Sequence, residues 1–141
     1  MKQDDLIAGW LSLTTTYMNL AHELEEVMKR EHDLTLKEFY VLLFLYETPE
    51  KKLRLQQLQQ MVGLSQSAMS RLVARFEAKG CGALQREICQ EDRRNIYTAI
   101  TDIGEAKLAK ARETFCSTIE AALGVKEIQE GLNALILTYA K

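Results

Sequence analysis

Residues 83–104 read ALQREICQEDRRNIYTAITDIG, and this stretch decides the fold. Ala83–Ile88 and Asn95–Ile100 both alternate with a period of two and carry β-branched or aromatic residues, the pattern of short strands. Between them lies a polar tip, Cys89-Gln-Glu-Asp-Arg-Arg94. Two short strands around such a tip predict a β-hairpin. After Thr101-Asp102 the apolar spacing becomes helical again.

Upstream, Leu55, Leu58, Met61 and Val62 recur at helical spacing until Gly63, which can take the left-handed conformation that closes a helix. Ser65 is a good N-cap for the next helix, 65–79, whose inward stripe is Met69, Leu72, Val73 and Phe76 and which ends at Lys79-Gly80. Two short helices joined by Val62-Gly-Leu-Ser65 make a helix-turn-helix. The second helix divides cleanly. Its outer face carries Ser67, Ser70, Arg71, Ala74 and Arg75, with Gln66 beside Ser65 at the N-terminus. A helix that reads base edges needs hydrogen-bonding side chains near its N-terminus and small residues where it meets the groove; Ala68 and Ala74 are small.

Further out, a long helix over 4–31 is predicted from Leu6, Ile7, Trp10, Leu13, Tyr17, Leu20, Leu24, Val27 and Met28. Asp33 or Thr35 starts a second helix, and Thr35-Leu-Lys-Glu38 has the spacing of a capping box. That helix runs apolar through Phe39 to Tyr46 and stops before Pro49; Lys51 and Lys52 follow in an exposed connection. Downstream, Ala106, Leu108, Ala109, Phe115, Ile119 and Leu123 mark a long helix closed by Gly124, and a last helix begins near Lys126. The fold class is therefore mainly α with a small β-hairpin wing, a winged helix-turn-helix with helices on either side of it.

Composition sets the class. With 141 residues, 47% of them hydrophobic and 27% charged, the chain suits one soluble globular domain. Its start, MKQDD, is acidic where a secretory leader is cationic, and the longest apolar run, Val41–Tyr46, is far short of the ~20 residues a bilayer span needs. Cys81, Cys89 and Cys116 form neither an even disulfide framework nor a CxxC pair. A cytoplasmic location is expected, with no membrane partner. The net charge of −2 is unevenly spread: residues 1–52 hold six basic and ten acidic residues, 53–104 seven and five, and 105–141 five and five. The segment holding the two motifs is thus +2 inside an acidic chain. Arg93 and Arg94 repel each other at a hairpin tip unless phosphates or a narrow minor groove accept them, and Asp92 can brace a neighbouring guanidinium.

Asp92-x-Arg94 followed by Ile100-Thr101-x-x-Gly104 resembles the wing signature of the multiple-antibiotic-resistance regulator (MarR) family. Leu55-Gln-x-Leu58, Val62-Gly-Leu-Ser65, Ser70-Arg-Leu-Val and Glu77-x-Lys-Gly80 resemble its helix-turn-helix, with Cys81-Gly82 a small insertion before the wing. The match is strongest over 53–104. The resemblance implies a homodimeric transcriptional regulator, often a repressor, acting on a pseudo-palindromic double-stranded operator. It implies a single domain over 1–141, with the winged lobe at 53–104 and dimerisation helices at 1–31 and 105–141. Ser65, Gln66, Ser67, Ser70, Arg71 and Arg75 would then serve the major groove, Arg94 would enter the minor groove beside Arg93, and Asp92 would brace the wing.

Other chemistry is weighed against plainer explanations. Trp10, Tyr17, Phe39 and Tyr40 could line a pocket for a small aromatic effector, although aromatics at helical spacing usually form core. Cys89 lies near Arg86, the kind of neighbour that activates a thiol, yet a passive small residue is the ordinary explanation. His22 and His32 stand ten apart, not at the i, i+4 spacing of a helical metal pair, so no metal or cofactor is expected. No nucleophile elbow or phosphate loop is present, so an enzyme is not expected. The competing function is a winged-helix protein-interaction module without DNA specificity of its own.

Overall fold

The computed structural model describes residues 3–77, 80–88 and 96–124, together with 126, 129, 130 and 133. The wing tip (Cys89, Asp92, Arg93, Arg94) and most of the last helix expected from Lys126 lie outside the described residues. Two compact units are formed, one by 1–31 with 113–141 and the other by 32–112. The second unit thus reaches well beyond the lobe expected at 53–104.

In the first unit, helix α1 (Gln3–His32) is long and largely solvated, with only Gly9, Leu24 and Met28 buried. Leu6, Ile7, Trp10 and Tyr17 of the helically spaced set, with Leu11 and Met18, are exposed in the single chain. No helix among the described residues is long and apolar enough to cross a membrane.

The second unit begins where α1 stops. Asp33 adopts a left-handed backbone, φ 53°, which Asp tolerates better than most residues. Thr35 then caps α2 (Leu36–Glu47): its side chain accepts from the Glu38 N–H, and the Glu38 carboxylate accepts from the Thr35 N–H at 2.6 Å, so the capping box is complete. Leu36, Phe39, Val41, Leu42 and Leu45 of this helix are buried in the core, as an almost wholly apolar helix requires.

The hairpin strands are β2 (Leu84–Ile88) and β3 (Ile96–Ile100), antiparallel, with Leu84 opposite Ile100 and Ile88 opposite Ile96. A third strand was not anticipated. Lys52, expected in an exposed connection, instead begins β1 (Lys52–Arg54), which pairs antiparallel with β3, giving the order β1-β3-β2. Three residues are too few to show alternation; the edge of β3 makes them a strand by offering its unpaired groups. On one face of the sheet Lys52 and Arg54 lie over the Tyr97 ring, at 5.2 and 5.7 Å from its centre, and Lys52 also reaches Glu87 at 3.4 Å. Ahead of β1, Lys51 is hydrogen-bonded to Glu105, and this contact raises the pKa of its ammonium.

Helix α5 (Asp102–Leu123) starts against the hairpin. The Thr101 N–H donates to the Ala83 carbonyl at 3.0 Å, and its hydroxyl donates to the Gly82 carbonyl at 2.6 Å while accepting from the Gly104 N–H at 3.1 Å. One threonine thereby caps the helix and ties it to the entry of β2. The cysteine-glycine insertion is absorbed here: Gly82 takes φ 78°, and β2 begins at Leu84, one residue later than the sequence pattern placed it.

Candidate nucleic-acid interface

Helices α3 (Leu55–Val62) and α4 (Gln66–Phe76) form the helix-turn-helix. Leu58 and Val62 are buried but Met61 is 49% exposed, so the inward stripe of α3 is narrower than its apolar spacing suggests. Gly63 closes α3 at φ 76° and ψ 35°, its N–H bonded to the Gln59 carbonyl at 2.9 Å. The Lys37 ammonium of α2 donates to the Val62 carbonyl at 2.7 Å, satisfying an acceptor at the helix end.

Ser65 caps α4 as expected. Its backbone is extended and its hydroxyl accepts from the Ala68 N–H at 3.2 Å. The N–H groups of Gln66 and Ser67 therefore stand at the helix mouth, where helix geometry supplies no carbonyl and the dipole is positive. Met69, Val73 and Phe76 are buried; Gln66, Ser67, Arg71, Ala74 and Arg75 are exposed, and Ser70 and Leu72 are half-buried. The helix ends at Phe76, with Glu77 as an extended cap, and Lys79, where the sequence pattern placed its end, lies outside the described residues.

The two arginines of α4 differ in a way spacing could not show. Arg71 is exposed and makes no ion pair among the described residues. Arg75 pairs through Nη2 with the buried carboxylate of Glu38 and lies over the Phe76 ring at 5.2 Å. Beside α4 a cleft of about 400 Å³ opens, lined by Arg54, Leu55 and Gln56 at the start of α3, Ser70 and Val73 of α4, and Arg86, Ile96 and Thr98 of the hairpin. The Arg86 guanidinium is held by Glu77. Arg54 and Gln56 were not singled out from sequence, and Arg86 was considered only as a neighbour of Cys89.

The remaining candidates scatter. Trp10 and Tyr17 are exposed on α1, 64% and 65%, in the first unit. Phe39 belongs to the core of the second unit, with its ring 6.2 Å from that of Tyr40. Within neither unit do the four come together. His22 lies 3.2 Å from Glu26 on the open face of α1, and no group of three or more metal-ligating side chains occurs among the described residues. Cys81 and Cys116 are exposed free thiols.

A buried apolar helix carrying a helix-turn-helix, an antiparallel hairpin beside it and a polar outward face on the second helix define a winged-helix DNA-binding protein. Residues 32–95 match the model of the MarR family. The same architecture recurs in solved structures. A MarR family transcriptional regulator of Streptomyces coelicolor, Sco3205, crystallised in complex with DNA, is 25% identical with a TM-score of 0.73, covering 93% of this chain and 82% of its own. AbsC of the same organism, also a MarR family regulator, is 22% identical with a TM-score of 0.76, covering 99% and 94%. The regulator BldR of Sulfolobus solfataricus is 22% identical with a TM-score of 0.75, covering 99% of both chains. Comparison with curated protein sequences gives no significant match. Over residues 32–95 the chain is thus similar to the MarR family, and it shares its fold with MarR family transcriptional regulators.

Proposed function

We propose that this protein is a homodimeric, sequence-specific repressor that seats two copies of α4 in successive major grooves of a pseudo-palindromic operator and leaves it on a small-molecule or redox signal. The observation that carries this reading is the outward face of α4, where Gln66, Ser67 and Ser70 offer hydrogen bonds beside an Arg71 unpaired among the described residues. An unpaired guanidinium on such a face is suited to bidentate contact with guanine. Ser65 serves through its cap, Arg93 and Arg94 through the wing, and Asp92 as the brace of that wing. Two-fold operators place the half-sites about 34 Å apart. The dimer is supported by the uncovered stripe of α1, which also contains Trp10 and Tyr17, two of the residues considered for an effector. Repression needs no further contact, because a protein seated on a promoter excludes polymerase.

The test is fluorescence anisotropy with a duplex taken from immediately upstream of the gene, against a random duplex of equal length. Arg71→Ala is expected to weaken specific binding by about 1–3 kcal/mol and relax discrimination at one base position, with a smaller loss on random DNA. Equal losses on both duplexes would reassign Arg71 to phosphate contact. Titration of small aromatic acids and of peroxide into the same complex tests release: one of them should lower the anisotropy, and indifference to both would remove the release step from the proposal.

A further inference from the structure

Glu38 is a carboxylate on a helix otherwise packed with leucine, valine and aromatic side chains, and it is only 4% exposed. Burying a charge is costly unless each oxygen is satisfied. One oxygen accepts the Thr35 N–H at 2.6 Å, which completes the helix cap. A glutamine would serve that purpose equally well and without a charge. The other oxygen holds Nη2 of Arg75 in the last turn of α4. Lys37, the neighbouring residue in the same turn of α2, holds the Val62 carbonyl at the end of α3. Two consecutive side chains of α2 therefore grip both helices of the helix-turn-helix, each near its C-terminal end.

We propose that the first turn of α2 is a clamp that sets the angle of α4, with Glu38 as a positioning residue acting through Arg75, and that Arg75 itself makes no phosphate contact. The geometry explains why the far end of α4 needs a fixed anchor. Its 11 residues span roughly 15 Å at 1.5 Å per residue, so a tilt of about 5° at the held end moves the N-terminus by about 1 Å. A displacement of that size disrupts hydrogen bonds to base edges, whereas attraction to phosphates tolerates it. The clamp rests on the DNA-binding reading for its consequence but not for its existence.

Glu38→Gln keeps the cap acceptor and the side-chain volume while removing the charge. Glu38→Gln, Arg75→Ala and the double variant are compared with the unaltered protein on the upstream and random duplexes over a salt series. Each single variant is expected to lose about tenfold on the upstream duplex and far less on the random one. The double variant should be no worse than either, because the two act as one unit, and the dependence of log Kd on log salt should stay parallel in all four. If Arg75 instead neutralises a phosphate, Arg75→Ala lowers that slope by about 0.9 and Glu38→Gln binds as tightly as the unaltered protein or more tightly; either result overturns the proposal. A second readout needs no DNA. Amide hydrogen exchange across Val73–Phe76 should rise in Glu38→Gln, and unchanged exchange overturns the clamp. Failure of the unaltered protein to bind either duplex refutes the DNA-binding reading, and the exchange result still judges the clamp.

Discussion

Replacing Gly104 with alanine is expected to destabilise the winged unit by about 2–4 kcal/mol, although the position is helical and helix propensity alone would favour alanine by ~1 kcal/mol. A Cβ at Gly104 would lie 2.3 Å from the Ala83 carbonyl oxygen and 2.7 Å from Cγ1 of Ile100. The first of these cannot yield easily, because that carbonyl already accepts the Thr101 N–H. Relief would require α5 to withdraw from the hairpin, breaking hydrogen bonds worth about 1 kcal/mol each. For a unit of this size 1 kcal/mol corresponds to roughly 4–8 °C, so a thermal melt should fall by about 10 °C or more. An unchanged or raised Tm would refute the close approach. The result would also explain the Ile100-Thr101-x-x-Gly104 signature physically: Thr101 staples helix to hairpin, and Gly104 permits the contact.

The second large effect concerns α1. Trp10→Glu is expected to convert the proposed homodimer into a monomer while leaving the helical content of the chain intact. Trp10 is 64% exposed and lies among Leu6, Ile7, Leu11, Tyr17 and Met18, all more than two-fifths exposed. Such a contiguous apolar surface is unusual on a monomer and marks an interface. A carboxylate in its middle costs little in the lone chain, where it is hydrated, and several kcal/mol when desolvated against a partner without a counter-charge. Sedimentation should therefore show half the mass. Operator affinity should fall by about 10²-fold or more, because binding of the second half-site ceases to be intramolecular. A Trp10→Glu protein that sediments as a dimer would place the interface elsewhere.

What could be read from sequence was local. Thr35, Gly63 and Ser65 act within a turn of themselves, so their caps were legible and stand in the structure as expected. The hairpin was legible because a period of two continues through both of its strands. Strand β1 was not: Lys52-Leu-Arg54 becomes a strand only through β3, more than forty residues away. Periodicity identified α1 as a helix but could not say whether its apolar face meets this chain or another. For the candidate interface, spacing placed Arg71 and Arg75 on one outward face, yet Glu38, far away in sequence, separates their roles. The available hint was a carboxylate inside an apolar helix, explained by the cap alone until both of its oxygens were accounted for. The wing residues Asp92, Arg93 and Arg94 rest on the resemblance, lying outside the described residues.

Specific binding of duplex DNA by α4 and the wing is decided by the affinity of the purified protein for the upstream duplex and for random DNA over a salt series, with Arg94→Ala alongside. A preference for the upstream duplex of about 10³ or more is expected near physiological salt. Affinity should fall steeply as salt rises, and Arg94→Ala should bind much more weakly with an unchanged melt. Equal affinity for both duplexes, or binding indifferent to salt and to Arg94, would contradict specific binding by α4 and the wing.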